Sequence, residues 1–124
     1  MTTVEITNDN LEEIIAKNGL VLLDFWAEWC GPCRNFSKIY EEVAKVYPDV
    51  VFGTVNVEEQ KALAQDFGVR SIPFLVVFRG NVAVYKEAGS KTKDELKELI
   101  EQGLALDLDE LQKQVAAAES KSGE

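Results

Sequence analysis

The chain has 124 residues, of which 46% are apolar and 28% charged, a composition that suits one globular domain and leaves little room for a second. Its 13 basic and 22 acidic side chains give a net charge of −9, which argues against binding to nucleic acid or to an anionic membrane surface. Because the sequence has no histidine and only two cysteines, it excludes a Ser-His-Asp triad, a Cys-His protease pair, a histidine-based zinc site and a four-cysteine metal centre within one chain.

Strand and helix patterns alternate along the first part of the chain. Val4–Ile6 alternates as a short strand, and Asp9 followed three residues later by Glu12 resembles a capping box that starts the first helix. The run Leu20–Ala27 is apolar except for Asp24, which predicts a central strand that helices cover on both faces.

The rest of the chain continues this alternation. The further predicted elements are a long helix that ends at Pro48, a strand Val50–Val57, a helix Lys61–Phe67, a hairpin of Phe74–Phe78 with Val82–Tyr85, and a helix capped by Thr92 and Glu95. The order βαβαβαββα predicts an α/β fold built from βαβ units.

Residues 104–124 carry a pattern of their own. Apolar side chains recur at spacings of four, three, four and three residues, at Leu104, Leu108, Leu111, Val115 and Ala118. This stripe predicts an extra C-terminal helix over 107–118 with a disordered end, and it divides the chain into a domain at 1–103 and an extension at 104–124. Such a short helix must bury its stripe to persist, and docking against its own domain is favoured over a second subunit or a partner protein.

The motif Trp29-Cys30-Gly31-Pro32-Cys33 lies where the central strand gives way to a helix. Cys30 should then sit at the helix N-terminus, where free backbone amides and the helix dipole stabilise a thiolate. The two-residue spacing lets Cys33 attack a mixed disulfide formed on Cys30, so the pair is interpreted as a redox dithiol. A permanent bridge, or half of a metal site completed by a second chain, is the alternative.

The run Asp24–Cys33, DFWAEWCGPC, resembles the active-site stretch of the thioredoxin family. Ile72-Pro73 resembles the family's cis-proline loop, Asn56–Glu58 the end of its third strand, and Gly89 the glycine beside its substrate groove, so the similarity covers about residues 3–103. The resemblance implies the thioredoxin fold, a central mixed β-sheet flanked by helices. It also implies a protein-disulfide reductase with no bound cofactor, which works through a reversible Cys30–Cys33 disulfide and is recharged by thioredoxin reductase using NADPH.

The same resemblance implies roles for individual residues. Cys30 attacks the disulfide of a protein substrate, Cys33 resolves the intermediate, and Asp24 is a buried acid that takes the proton from Cys33. The substrate groove is formed by Trp29, Gly31, Pro32, Ile72, Pro73, Phe74 and Gly89. From the residues alone, Asp24 could also be a strand-end carboxylate in water, and the Phe74 ring could turn into the core.

Three positions depart from the family pattern. Thr54 stands where most thioredoxins have a lysine near the buried acid, which predicts a raised pKa for Asp24. Lys38 replaces a proline in the long helix, which should therefore run straighter. Phe74 replaces a threonine after the cis-proline, which predicts a narrower or more apolar groove.

Location and partners follow from what the sequence lacks. Met1–Asn10 has neither the basic start nor the apolar core of a secretory signal, and the longest apolar run, Ile72–Phe78, is far shorter than the ~20 residues of a membrane-spanning helix. We therefore expect a cytoplasmic monomer without nucleic-acid or membrane partners. Two other functions fit the same residues: a thioredoxin-like protein dedicated to one partner, and a thioredoxin-fold interaction module or holdase whose dithiol is incidental.

Overall fold

One mixed sheet of five strands runs through the centre of the chain in the computed structural model, which describes residues 2–122. In sheet order the strands are β1 (Val4–Glu5), β3 (Val51–Asn56), β2 (Leu20–Trp26), β4 (Phe74–Arg79) and β5 (Val82–Ala88). The helices are α1 (Leu11–Lys17), α2 (Gly31–Ala44), α3 (Lys61–Asp66), α4 (Lys93–Ala105) and α5 (Leu108–Ser122). The predicted order, with its additional C-terminal helix, is confirmed. Within residues 2–122, no helix has both the length and the apolar character that crossing a bilayer requires.

β2 occupies the middle of the sheet, where it pairs in parallel with β3 and antiparallel with β4. Its register puts Asp24 beside Thr54 on one side and beside Leu75 on the other. Because side chains alternate along a strand, Leu22, Asp24 and Trp26 share one face of the sheet. The carboxyl end of β2 leads directly into the loop that carries the cysteines.

Helices cover the two faces of the sheet with separate apolar clusters. α2 and α4 cover the face that carries Asp24, with a cluster that includes Leu22, Phe36, Tyr40, Phe52, Leu96 and Ile100. α1 and α3 cover the other face, with a cluster that includes Leu11, Val21, Leu23, Phe25, Leu63 and Val76. Each fully buried apolar side chain contributes roughly 1.5–3 kcal/mol, so β2, which supplies side chains to both clusters, carries a large share of the stability.

The start of α1 differs from the prediction. The capping box expected from Asp9 and Glu12 is wrong, because the helix begins after Asn10, which makes no side-chain bond to the helix amides. The Asn10 carboxamide instead accepts from Thr7 N at 2.8 Å and donates to Glu5 O at 2.9 Å. These two bonds tie the helix start to the end of β1, a tertiary arrangement that the local pattern does not contain.

The C-terminal part of the chain differs from the prediction in its bounds. α4 begins at the predicted capping box, in which Thr92 Oγ1 accepts from Glu95 N at 3.1 Å and Glu95 Oε1 accepts from Thr92 N at 2.9 Å. It continues through Ala105, so the boundary predicted at 103 falls inside its last turn. α5 continues to Ser122, where the sequence predicts a disordered end after 118. Residues 123–124 and the side chain of Ala118 lie outside the described part of the chain.

Arg79, at the end of β4, holds the segment between α4 and α5. Its guanidinium donates to three backbone carbonyl groups: Nε to Leu106 at 3.0 Å, Nη1 to Gly19 at 3.0 Å, and Nη2 to Leu104 at 3.4 Å. Two of these carbonyls belong to the C-terminal end of α4, where backbone acceptors lack helical partners. Arg79 therefore fixes the start of the extension to the end of the sheet that is opposite the cysteines.

The apolar stripe of α5 packs back onto the same domain. Leu108 approaches Gly80 in the β4–β5 turn, and Leu108, Leu111 and Val115 are all half-buried. This is the intramolecular docking that the sequence favours.

Gly80→Ala should lower the free energy of unfolding by about 1–2 kcal/mol. Gly80 has a φ of 62°, and a Cβ placed there would lie 2.8 Å from Leu108 Cδ2. Urea unfolding of the wild type, Gly80→Ala, Leu108→Ala and the double variant separates the two causes, because only the backbone strain persists once the Leu108 side chain is truncated. If Gly80→Ala lowers the free energy of unfolding by the same amount with and without the Leu108 side chain, α5 does not pack against Gly80.

Candidate functional site

The two cysteines form a disulfide at the start of α2, with their Cα atoms 5.2 Å apart. Cys30 is the N-cap residue, and the amide of Cys33 donates to its sulfur with an N···Sγ distance of 3.2 Å. Pro32 lies in the first turn, where the helix has no use for its missing N–H. When the disulfide is reduced, the same amide and the helix dipole favour a thiolate at Cys30.

The two sulfurs differ in access. Cys33 is 0% exposed and Cys30 is 4% exposed, whereas the neighbouring Trp29 is 68% exposed. Arg34 Nη1 donates to Glu28 O at 2.9 Å and so braces the loop that presents Trp29. The Cys30 side of the disulfide is therefore the side that meets solvent, next to an exposed indole.

A second loop faces the disulfide. The Ile72–Pro73 peptide bond is cis, as predicted, and the Ile72 carbonyl oxygen lies 3.8 Å from Cys30 Sγ. Gly89 holds this loop from the other side, because its N–H donates to Pro73 O at 2.8 Å from a φ of 112° that favours glycine. The Ile72 amide makes no hydrogen bond to another backbone group within residues 2–122.

A hollow of about 360 Å³ adjoins these residues. It is lined by Trp29, Val57, Ala64, Val69, Arg70, Ser71 and Ile72, of which Arg70 alone is charged. The sequence places Trp29 and Ile72 at the site but misses the side of the hollow formed by α3 and the loop after it. Those residues reach the site only through tertiary packing, so no local pattern reveals them.

The remaining predicted groove residues separate into two groups. Gly31 is half-buried and Pro32 exposed beside Cys30, as a groove requires. The Phe74 ring packs edge-to-face against Phe25 with 6.0 Å between ring centroids, which favours the alternative that it turns into the core, although the residue is only half-buried. Phe74 opens β4 directly opposite Phe25, and the pleat directs both side chains into the cluster under α1 and α3.

Phe74→Thr should lower the free energy of unfolding by about 1–2 kcal/mol and leave the range of reducible disulfides unchanged. The loss is smaller than for a fully buried ring because Phe74 is half-buried. Denaturant unfolding measures the first effect, and reduction rates on a panel of unrelated disulfides measure the second. Faster reduction across the panel would show that the Phe74 ring lines the substrate groove.

Asp24 is 0% exposed, and neither of its carboxylate oxygens has a hydrogen-bond partner within the described residues. Desolvation therefore raises the pKa of Asp24 from 3.8 to about 7, in the direction that the sequence predicts. The alternative of a strand-end carboxylate in water does not fit this burial.

Tyr40 of α2 is a polar neighbour of Asp24 that sequence reasoning missed. Its hydroxyl donates to Gly53 O at 2.8 Å and joins α2 to β3. Burial raises the pKa of Tyr40 well above its usual value, and the negative charge of Asp24 raises it further. The sequence pattern indicates only that Tyr40 belongs to the apolar stripe of a helix. Its hydrogen bond to Gly53 could not be predicted, because the partner of its hydroxyl depends on how α2 crosses the sheet.

A helix-capping disulfide opposed by a cis-proline loop, at the carboxyl end of a central strand, has the geometry of a thiol-disulfide oxidoreductase site. The comparisons with known proteins define the class further. The Thioredoxin family model matches residues 2–102, and the chain belongs to the thioredoxin family.

Relatives and solved structures agree with that assignment. A Streptomyces coelicolor protein with thioredoxin 2 in its name is 45% identical over 122 residues, which are 98% of this chain and 91% of that protein. A thioredoxin of Chlamydia pneumoniae is 42% identical over 95 residues, 77% of this chain and 92% of that protein. A mutant thioredoxin from Halobacterium salinarum superposes with a TM-score of 0.78 at 34% identity and covers 85% of this chain and 93% of that structure. The thioredoxin fold is thereby confirmed, and family and cysteine pair together support thiol-disulfide redox activity.

In the reduced protein, iodoacetamide at neutral pH should modify Cys30 at least about tenfold faster than Cys33. Cys30 has both the helix N-terminus and the access to solvent, whereas Cys33 is fully buried within the first turn of α2. Timed quenching and peptide mass spectrometry give the two rates. Equal rates, or a preference for Cys33, contradict the assignment of Cys30 as the attacking thiol.

Proposed function

We propose that the protein is a protein-disulfide reductase that transfers two electrons from its Cys30–Cys33 dithiol to disulfides of partner proteins. The position of Cys30 Sγ carries the proposal: it caps α2 and lies 3.8 Å from the Ile72 carbonyl oxygen, beside an open hollow. A disulfide that served stability alone would need neither the solvent access nor the facing Ile72–Pro73 loop.

The reaction begins with the Cys30 thiolate. It attacks one sulfur of the partner disulfide, so that a mixed disulfide forms and the other partner sulfur leaves as a thiolate that takes a proton from water. Cys33 then attacks Cys30 Sγ, the Cys30–Cys33 bond forms, and the second partner sulfur leaves as a thiolate. Two electrons have passed to the partner, and the chain is left in the disulfide form described above.

Asp24 accepts the proton of Cys33 in the second step. The buried stripe of α2 that starts with Cys33 and continues through Tyr40 covers the sheet face on which Asp24 lies. A general base is most effective when its pKa is close to the working pH, and the pKa of Asp24 is about 7. The carboxyl and the thiols titrate as a coupled group.

The partner polypeptide docks in an extended form. The free amide of Ile72 offers it a backbone hydrogen bond, and Trp29 with the adjoining hollow offers apolar surface. Four residues without long side chains keep the approach to the sulfur open: Gly31, Pro32, Pro73 and Gly89.

Thioredoxin reductase, with NADPH as the electron source, recharges the dithiol in this proposal. A reductase of this kind works in a compartment that keeps thiols reduced, which favours the cytoplasm. A monomer is favoured because the α5 stripe is half-buried on its own domain, and a net charge of −9 opposes pairing through an acidic helix.

Reduction of insulin disulfides tests the proposal, with dithiothreitol, or NADPH and thioredoxin reductase, as the electron source. The wild type should accelerate precipitation of the insulin B chain, and Cys30→Ser should remove the acceleration while the protein stays folded by circular dichroism. A protein that acts only as an interaction module or holdase gives no acceleration in any of these reactions.

A further inference from the structure

A second cavity, of about 330 Å³, lies on the face of the sheet that α2 covers. Six residues line it: Thr3, Trp26, Ser37, Tyr40, Glu41 and Thr54. It does not share a lining residue with the hollow beside Cys30. The redox mechanism described above therefore does not use it as a docking surface.

Asp24 lies next to this cavity. Thr54 is its direct neighbour across the β2–β3 ladder, and Trp26 is the next residue of β2 on the same face. The Asp24 side chain therefore lies directly behind these two lining residues, although it does not itself line the cavity. Both of its oxygens lack a hydrogen-bond partner within the described residues, although the residue is 0% exposed. Native structures rarely leave two buried acceptors unmatched.

The lining is rich in hydrogen-bond acceptors and contains no cationic side chain. The Thr3, Ser37 and Thr54 hydroxyls can accept, Glu41 adds a carboxylate, and the Trp26 and Tyr40 rings offer π-faces. A divalent metal ion would need several carboxylate oxygens together, and no group of three potential metal ligands occurs within residues 2–122. An ammonium group, with three N–H donors, one charge and an alkyl stem that packs on an aromatic ring, suits this lining better.

We propose that the cavity binds a primary alkylammonium group, with its nitrogen against the Thr54 hydroxyl, in front of the buried Asp24 carboxylate, and its alkyl stem along Trp26 and Tyr40. Glu41, exposed on α2, marks the mouth. The ligand is either a small free amine or the lysine side chain of a bound polypeptide, since both present the same chemistry.

Binding changes the protonation of Asp24. A cation beside a carboxylate favours its charged form, so an occupied cavity should lower the pKa of Asp24. The groups that face Asp24 are Tyr40 and Cys33 from α2, Thr54 from β3 and Leu75 from β4, and none of them carries a positive charge. An external cation therefore has no internal competitor at this position.

The test uses the full-length oxidised protein and propylammonium chloride. The carboxyl ¹³C shift of Asp24 is followed by NMR against pH at increasing salt concentration, and its apparent pKa should fall and then level off. Tetramethylammonium chloride at the same concentration supplies equal ionic strength without N–H donors and should give no saturable fall. No fall, or an equal fall with both salts, overturns the proposal.

Substitutions locate the binding site. Thr54→Lys places a tethered ammonium in the cavity and should weaken propylammonium binding at least about tenfold. Glu41→Gln, at an exposed helix position that tolerates change, should weaken it several-fold, and Glu42→Gln should leave it unchanged because Glu42 pairs with Lys93 instead. If Thr54→Lys fails to fold, the Glu41 and Glu42 pair decides. An affinity that Glu41→Gln leaves unchanged, or that Glu42→Gln lowers equally, refutes the site.

A second probe then distinguishes the two possible ligands, a small free amine and a lysine side chain. N-acetyl-lysine methylamide presents the same group on a peptide backbone. If it binds as tightly as propylammonium, the cavity accepts a lysine side chain of a partner; if propylammonium binds at least about tenfold tighter, the cavity is a site for small free amines.

Discussion

Asp24→Asn should stabilise the oxidised protein at pH 8 by up to about 4 kcal/mol and change its stability little at pH 4. Burial raises the pKa of Asp24 from 3.8 to about 7, so between these values the folded state holds a proton that the unfolded chain has released. The stability associated with the protonated carboxyl is complete below the unfolded pKa and is lost as the pH rises through the folded one. Asparagine is neutral at every pH, so the Asp24→Asn variant does not lose this stability as the pH rises.

Urea unfolding with the disulfide intact measures this effect at both pH values. Glu98→Gln, on the exposed face of α4, is a matched control that removes one carboxylate without a change in burial. A variant that is less stable than the wild type at pH 8 would show that the Asp24 carboxylate is charged and has a partner. An equal gain in stability at both pH values would show that ionisation of Asp24 is not the cause of the gain.

The same substitution should slow disulfide reduction on the order of 100-fold at pH 7, because Cys33 then lacks its proton acceptor. The substitution should slow the step in which Cys33 resolves the mixed disulfide and leave the rate at which Cys30 forms it unchanged. Rapid quenching followed by separation of the mixed disulfide distinguishes the two steps. A variant that resolves at the wild-type rate removes Asp24 from the mechanism even if its stability changes as expected.

Cys33→Ser should lower multiple-turnover reduction at least about 100-fold, since attack by a neighbouring thiol has a large advantage over attack by a thiol from solution. Cys33 lies three residues from Cys30 and its amide already contacts the Cys30 sulfur. Steady-state rates at fixed dithiothreitol concentration measure the loss, with Ser37→Ala of the same helix as control. Turnover close to that of the wild type would mean that Cys33 is not the resolving thiol.

The features that the sequence predicts well are local ones. Thr92 and Glu95 lie within one helical turn of each other, so their capping box needs no tertiary information. The same holds for the cysteine pair at a strand-to-helix junction, and for Asp24, because a carboxylate within an apolar strand is buried whichever helix covers it.

The features that the sequence misses or leaves open depend on which elements meet. Phe74 faces Phe25 because β4 pairs with β2 in one particular register, and a one-residue change in register would turn its ring to the other face. The start of α1 is set by bonds from Asn10 to β1 rather than by its own turn. The three carbonyl groups that Arg79 binds lie 25 to 60 residues away from it in the chain. No local sequence pattern therefore predicts these hydrogen bonds.

In the proposed mechanism, Cys30 provides the sulfur that attacks the partner disulfide. Reaction of Cys33→Ser with a disulfide-linked peptide, followed by digestion and mass spectrometry under non-reducing conditions, locates the adduct directly. We expect one peptide bound per chain through Cys30, and no adduct when Cys30→Ser is added. An adduct that fails to form, although Cys30 remains alkylatable and the protein folded, would contradict it.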